Sequence, residues 1–304
     1  MQQRVLIIGG AGLLALNWAQ AVRNRFSVTL GLHKQKVVFP GVQTQLLDLE
    51  SADSLVRSLE QLAPDVVIHT AGLTNVELCE SKPEVAHHVN VILAANVAKA
   101  CAISGIKLVH ISTDHLFSGQ DSLTDESQLV APINMYGKTK AEAEIRVLEF
   151  NPQSLVIRTN FYGWGTSYRH SFSDIVIDSL RAGEKLTLFQ DVFYTPILAE
   201  TAAFVVHDLI DLKASGIFNV VGDQRLSKYE FGLSLAKEFD HDSQGIVPGL
   251  LADHADLVQR PHDMSLSNKK VSDLLGRKLG GIAEHMARLK HQEISGLAQE
   301  MRIL

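Results

Sequence analysis

The sequence predicts an α/β protein: a doubly wound parallel sheet with a smaller, mixed α/β lobe toward the C-terminus. Three observations carry that expectation. Short β-branched runs alternate with helical periods through the first half. A glycine turn follows the first of those runs directly. The pattern then loosens after Arg158. Strands that are apolar at nearly every position must be covered on both faces, which is the condition of a parallel sheet between two helical layers. A chain of 304 residues, 46% apolar and 20% charged, is long enough to bury such a core and to add a lobe.

In order, Val5-Leu6-Ile7-Ile8 reads as a buried strand, followed by a turn and a helix from about Leu13 to Arg25. Strands follow at Phe26 to Leu30 and Gln43 to Leu47, then a helix from Ser51 to Leu62. A strand at Val66 to His69 precedes a helix opened by Lys82-Pro83-Glu84, where proline suits the first turn. Strand Leu108 to Ser112, helix Asn134 to Glu149 and strand Leu155 to Arg158 complete the series. Beyond it, Gly163 to Thr166 reads as a loop, Phe172 to Leu180 as a helix, and Lys185 to Phe189 as a strand. Gly216 to Val221 reads as a further buried strand, and Lys228 to Phe239 and Ile282 to Leu297 as helices. A parallel sheet of this kind places its ligand at the carboxyl ends of the strands.

Composition narrows the function. A net charge of -6 argues against a polyanion-binding surface, so no nucleic-acid partner is expected. Cys79 and Cys101 are the only cysteines, which supports neither a disulfide scaffold nor a thiolate metal site. No apolar run approaches the roughly 18 residues of a membrane span. Met1 to Arg4 leads straight into a strand without the apolar core of a signal peptide. The expectation is a cytoplasmic protein without a membrane partner.

The turn Gly9-Gly10-Ala11-Gly12-Leu13-Leu14-Ala15 sits where a strand hands over to a helix. Gly9 permits the tight turn, Gly12 lets the backbone approach a pyrophosphate, and Ala15 is small enough for close packing. The second strand ends in Leu30 to Lys34 with no carboxylate where a ribose-binding acid would be expected for NAD. His33, Lys34 and Lys36 offer positive charge to a 2′-phosphate instead, which favours NADP with NAD as the alternative. A solvated basic turn is the plainer reading. Asp48, beside Leu49 after the third strand, is placed for an adenine amine or for capping the next helix.

Ser112-Thr113-Asp114 closes the fifth strand, and Tyr136 and Lys140 lie four residues apart, on one face of a helix. A threonine hydroxyl can orient a substrate carbonyl, and a phenol can donate a proton as hydride reaches the carbonyl carbon. A nearby ammonium can hold that phenol's proton chemistry closer to neutrality. Moving a phenol from pKa about 10 to about 7 requires about 4 kcal/mol, which a close ammonium and a cationic oxidised nicotinamide can supply together. A Tyr-x-x-x-Lys pair alone arises by chance in many helices; its order after the glycine turn and the Ser-Thr-Asp string gives it weight.

These strings resemble the extended short-chain dehydrogenases/reductases, and within them the dTDP-4-dehydrorhamnose reductase family. The resemblance rests on Gly9 to Gly12, Ala71 to Glu77, Ser112 to Gly119 and Tyr136 to Lys140, with echoes at Thr195 to Leu198, Gly216 to Val220 and Arg260 to Leu266. It implies a Rossmann domain over residues 1–160, with strand(s) from about 190–222, and a substrate lobe from 161–189 and 223–304. It implies a catalytic triad of Thr113, Tyr136 and Lys140. Gly9, Gly12, Leu13, Leu14, His33, Lys34, Asp48, Leu49, Ala71, Gly72, Thr74, Asn90, Ser112, Asn160 and Phe161 would serve the cofactor. Asp114, His115, Thr195 and Arg260 would face a nucleotide sugar. The chain departs from the family pattern at Ala15, His115, Leu116, Ser118 and Gln190 to Pro196, which bears on the sugar more than on the hydride chemistry.

The implied activity is NAD(P)H-dependent reduction of a 4-keto-6-deoxy nucleotide sugar, by a protein that could form a homodimer. An epimerase or dehydratase with tightly held NAD is the enzymatic alternative; Asp114 could be half of the acid/base pair that a dehydratase needs. A non-catalytic NADP-binding subunit, resembling that of methionine adenosyltransferase, is the alternative of another class. No metal site is expected, because the thirteen histidines lack ligand spacing. Trp164 and Tyr168 read equally as stacking or packing aromatics. The Ile282/His285/Met286/Leu289 stripe reads as helical core or dimer face.

Overall fold

The computed structural model describes residues 2–254 and 256–304. Its first half runs β1 (Arg4–Ile8), α1 (Leu13–Val22), β2 (Ser27–Leu32), β3 (Gln43–Leu46), α2 (Ala52–Leu62), β4 (Val66–His69) and α3 (Val76–Ser81). Then come α4 (Pro83–His87), a π turn (His88–Ile92), α5 (Leu93–Ile103), β5 (Lys107–Ile111), α6 (Met135–Phe150) and β6 (Leu155–Arg158). The second half contains β7 (Phe161–Tyr162), α7 (Phe172–Ala182), β8 (Leu186–Phe189), β9 (Phe193–Tyr194), β10 (Ile197–Leu198), α8 (Ala199–Asp211) and β11 (Gly216–Asn219). β12 (Leu226–Ser227), α9 (Lys228–Glu238), β13 (Ile246–Gly249), α10 (Lys269–Leu275), α11 (Ile282–Ile294) and α12 (Leu297–Arg302) complete it.

Seven strands form one sheet in the order β11-β6-β5-β4-β1-β2-β3, all paired in parallel. The expected doubly wound parallel sheet is therefore present. Its strands alternate side chains between two cores. Val5, Ile7, Ile68 and Ile157 enter one, while Leu6, Ile8, Val67 and Val156 enter the other. Each such aliphatic side chain contributes roughly 1.5–3 kcal/mol by leaving water. β3 is different: all four of its residues are exposed, and its polar Gln43-Thr44-Gln45 blunts the sheet edge. β1 feeds the glycine turn at the reversal point of strand order, where β1 pairs on one side with β2 and on the other with β4.

Several elements differ from the sequence expectation. The first helix stops at Val22 rather than Arg25. The helix from Ile282 ends at Ile294; Gly296, with φ 84°, turns the chain into a separate α12. α3 and α8 were not anticipated. Pro83 does open its helix, which passes through the π turn into α5. No helix among the described residues is long and apolar enough to cross a membrane.

α6 is locked to β6 by a buried ion pair. The Arg158 guanidinium donates to both Glu144 carboxylate oxygens, at 2.7 to 3.2 Å, with only 3% and 4% of the two side chains exposed. Such a pair gains little over an apolar one, yet losing one partner strands the other charge. Glu144→Ala should therefore lower unfolding free energy by about 3–5 kcal/mol, measured by urea denaturation; a loss below about 1 kcal/mol would refute the pair's structural weight.

Candidate active site

A crevice of about 610 Å³ opens at the carboxyl ends of the sheet strands. Gly9, Gly10, Gly12, Leu13 and Leu14 form its floor at the first turn. Gly9 has φ +89°, and a Cβ there would lie 2.6 Å from the Ala71 nitrogen, so the β1 and β4 turns can approach only with glycine. Gly12 begins α1 in extended conformation with no side-chain cap, and no acid lies in the helix's first turn. Its free N–H groups and dipole suit an anion such as a pyrophosphate. His33 and Lys34 line the far end with Gln35, and no carboxylate lines the crevice beside them. These residues fit a dinucleotide carrying an extra phosphate on its ribose.

Ser112, Thr113, Asp114, His115, Tyr136, Lys140, Asn160 and Phe161 line the other end, with Ala71, Gly72 and Thr74 between. Helix α6 delivers Tyr136 and Lys140 from one face. Asn134 caps it, its side chain accepting from Gly137 N at 2.9 Å. Gly137 costs the helix about 1 kcal/mol relative to alanine. A Cβ at that position would run into the His115 carbonyl, so glycine brings the helix onto the strand-end loop. Lys140 Nζ donates to the Ile111 carbonyl at 2.7 Å and approaches His110 Nε2 at 3.4 Å.

Around Tyr136, the Thr113 hydroxyl donates to Asp114 Oδ1 and accepts from His115 N, each at 3.3 Å. Asn160 Nδ2 donates to Asp114 Oδ2. The His115 ring stands edge-on to Tyr136, with centroids 5.3 Å apart. Burial pushes the Tyr136 phenol well above its ordinary pKa; hydrogen bonding to Thr113 pulls it down by less, and the Asp114 charge adds to the rise. Loss of water leads among the causes acting on the phenol and Lys140 is not one of them, so the draw toward neutrality expected from the sequence rests on the cationic nicotinamide that was part of that expectation. Burial also lowers Lys140, to about 8, against an upward pull from Glu144.

Six residues assigned from the sequence to the cofactor or the sugar do not line the crevice, Lys36 of the basic turn among them. Asp48 accepts from Glu50 N at 3.0 Å in its own turn, and Leu49 is buried in a core layer. Asn90, on the π turn, accepts from Leu73 N at 2.7 Å and donates to Thr139 Oγ1 at 3.0 Å, pinning the β4–α3 loop to α6. Thr195 Oγ1 accepts from Leu266 N at 3.1 Å. Arg260 is ion-paired with Glu77.

Sequence reasoning passed over Thr70, Thr159 and Arg169, which line the crevice. Arg169 donates to Thr74 Oγ1 at 3.1 Å, and Tyr168 Oη donates to the Ala11 carbonyl at 3.0 Å. Trp164, by contrast, is fully buried and donates to the Leu289 carbonyl, so it packs. Lys228 was also missed. Its ammonium sits 3.4 Å over the Tyr194 ring, and burial lowers it to about 8 while Asp114 holds it up. Only the irregular Thr166-Ser167-Tyr168-Arg169 loop and a lone lysine before Tyr229 marked these in the sequence.

The RmlD substrate binding domain family matches residues 3–292. The chain belongs to that family. This RmlD-family chain is 30% identical to the probable low-salt glycan biosynthesis reductase Agl14 of Haloferax volcanii, over 93% of this chain and 96% of that protein. It is also 30% identical to methionine adenosyltransferase 2 subunit beta of Rattus norvegicus, over 90% of this chain and 82% of that one. A solved dTDP-4-dehydrorhamnose reductase from Bacillus anthracis, in complex with NADP, superimposes with TM-score 0.84 at 24% identity, covering 96% of this chain and 100% of that one. The RmlD family is of the extended short-chain dehydrogenase/reductase type, as the sequence strings implied.

The raised phenol has a direct check. Phenolate absorbance, recorded as the difference between the protein and Tyr136→Phe, should show no ionisation of Tyr136 below about pH 10, the free phenol value. A phenolate arising near neutrality would overturn the assignment.

Proposed function

We propose that this protein is an NADPH-preferring reductase of a 4-keto-6-deoxy nucleotide sugar. The observation that carries the reading is the meeting of Thr113, Tyr136 and Lys140 in the same crevice as the Gly9–Gly12 turn. Support for NADPH comes from His33 and Lys34 at the crevice end and from the NADP complex of the Bacillus anthracis reductase. Support for a reductase comes from the Haloferax volcanii relative.

The nicotinamide, when bound, supplies the hydride. Gly9, Gly12 and the N-terminus of α1 would hold the pyrophosphate, and Lys140 the nicotinamide ribose. The Thr113 hydroxyl would orient the C4 carbonyl oxygen, held in place by Asp114. Tyr136 would give its phenolic proton to that oxygen as negative charge develops there. A phenol with a raised pKa keeps its proton until such charge appears, which suits an acid in the direction of reduction. Asp114 is engaged by Asn160 and Thr113 rather than by a second carboxylate, which favours a reductase over a dehydratase.

The likeness to the rat methionine adenosyltransferase subunit supports a second reading, that of a non-catalytic partner. Steady loss of NADPH absorbance with a ketosugar nucleotide would decide for the reductase. No loss, with capture of a partner enzyme, would decide for the subunit.

In the reductase, Tyr136→Phe should lower kcat by about 10²–10⁴-fold while NADPH still binds, as measured by fluorescence titration; unchanged turnover would refute the role. Lys140 carries its charge below about pH 8 and loses it above. The rate should therefore fall as pH rises through about 8, rather than through the 10.4 of a free lysine. A profile flat to pH 10 would exclude Lys140 as the titrating group.

A further inference from the structure

The segment between β7 and α7, residues 163–171, reaches the crevice and has no part in the reading above. Its base is firmly held. Ser171 caps α7 through a reciprocal pair: Asp174 N donates to Ser171 Oγ at 3.1 Å, and Ser171 N to Asp174 Oδ2 at 2.8 Å. Asp174 is 2% exposed and also accepts from Gly165 N at 2.6 Å. The Ser171 and Ser173 hydroxyls both donate to the Gly163 carbonyl. Thr166 N donates to the Arg169 carbonyl at 2.9 Å and Arg169 N to Thr166 Oγ1 at 3.1 Å, which closes residues 166–169 into a turn. The tip, Ser167 to His170, is exposed.

Two side chains tie that tip to the cofactor end of the sheet. Tyr168 Oη donates to the Ala11 carbonyl at 3.0 Å, in the turn between β1 and α1. Arg169 donates to Thr74 Oγ1 at 3.1 Å, in the loop between β4 and α3. The segment therefore touches both turns that meet at Gly9. Thr74 takes up one of the five N–H donors of the guanidinium, and no carboxylate pairs with Arg169 among the described residues. The one carboxylate that lines the crevice, Asp114, is engaged by Thr113 and Asn160. Arg169 is thus a cation on the crevice wall with most of its donors unused.

Its place along the crevice decides what it meets. Lys34 lines one end and Lys140 the other, and Arg169 stands with Thr74 between them. A dinucleotide laid along that line puts its diphosphate in the middle, between its two ribosides. The glycine turn offers backbone N–H groups and a helix N-terminus there, but no cationic side chain. We propose that Arg169 pairs with the diphosphate of the dinucleotide, and that Tyr168 fastens the turn carrying it to the glycine turn. A planar guanidinium meets phosphate oxygens through two parallel N–H donors, so the contact carries direction as well as charge. The proposal holds for the reductase and the subunit readings alike, because both take a dinucleotide.

Binding measurements on the whole protein test it. Arg169→Gln keeps an amide that can reach Thr74 and removes the charge. It should raise the Kd for NADPH, read by fluorescence titration, about 10- to 100-fold, the loss of a charge-assisted hydrogen bond. Adenosine 2′-monophosphate has the adenine, ribose and 2′-phosphate but no diphosphate. Its Kd, read by calorimetry, should be the same in both proteins. Thymidine diphosphate, added over saturating NADP, stands for the other diphosphate that could enter the crevice, and its Kd should also be unchanged. An NADPH affinity equal to that of the unmutated protein would overturn the proposal. So would an equal loss for adenosine 2′-monophosphate, or a loss confined to thymidine diphosphate. Tyr168→Phe should speed NADPH release about threefold to tenfold in stopped-flow displacement, as expected of one neutral hydrogen bond; an unchanged release rate would overturn the fastening. Failure of the unmutated protein to bind NADPH would overturn the cofactor assignment together with this proposal, whereas normal binding unaffected by Arg169→Gln overturns this proposal alone.

Discussion

The hydrogen bond from the Lys140 ammonium to the Ile111 carbonyl sets where α6 sits against the end of β5. A lysine buried beneath a catalytic crevice must find acceptors, and the last carbonyl of a parallel strand is one the sheet leaves open. Once that contact is made, helix geometry puts Tyr136 one turn nearer the crevice mouth. Gly137 then lets the helix close on His115, and Asn134 ends it cleanly. The same contact aims the remaining ammonium protons toward His110 and the crevice. Loop, strand end and helix thus meet at one short polar contact.

Burial acts on the two partners of that helix in opposite senses. It penalises whichever form is charged, so it raises the phenol and lowers the ammonium. In water the two groups titrate almost together, at about 10 and 10.4. Here they separate, with lysine giving up its proton first and tyrosine last. An acid that holds its proton and a cation that can let go are set up by the same exclusion of water. Asp114 reinforces the phenol's side through its charge, and Thr113 moderates it through a hydrogen bond.

The central sheet was legible because its strands are apolar throughout and separated by helical periods. The glycine turn was legible because its spacing is chemically restrictive. Much of the second half was not. Its two-residue strands, such as β7, β9, β10 and β12, are too short to show a period. α8 carries an apolar face that the sequence does show, yet a stretch rich in alanine and β-branched residues does not declare itself as helix. In the crevice, residues carried by the turn and by α6 were readable from local spacing. The His69–His110 contact spans 41 positions and Arg169–Thr74 spans 95, so no local pattern announces either. Asp48 shows the converse. Its place in the chain suggested an adenine contact, whereas its side chain satisfies its own turn.

The sheet's last strand has a consequence for how the polypeptide can be divided. β11 joins the sheet beside β6, although six other elements intervene between the two in the chain. Asn219, at its end, is held by the Thr124 and Ser267 carbonyls, each at 3.1 Å. A fragment ending near Arg158 would leave β6 with a bare hydrogen-bonding edge flanked by apolar residues, a surface that recruits other chains. Neither half can therefore be cut away as an autonomous piece, and fusion or splitting of this protein belongs at its ends rather than at the midpoint.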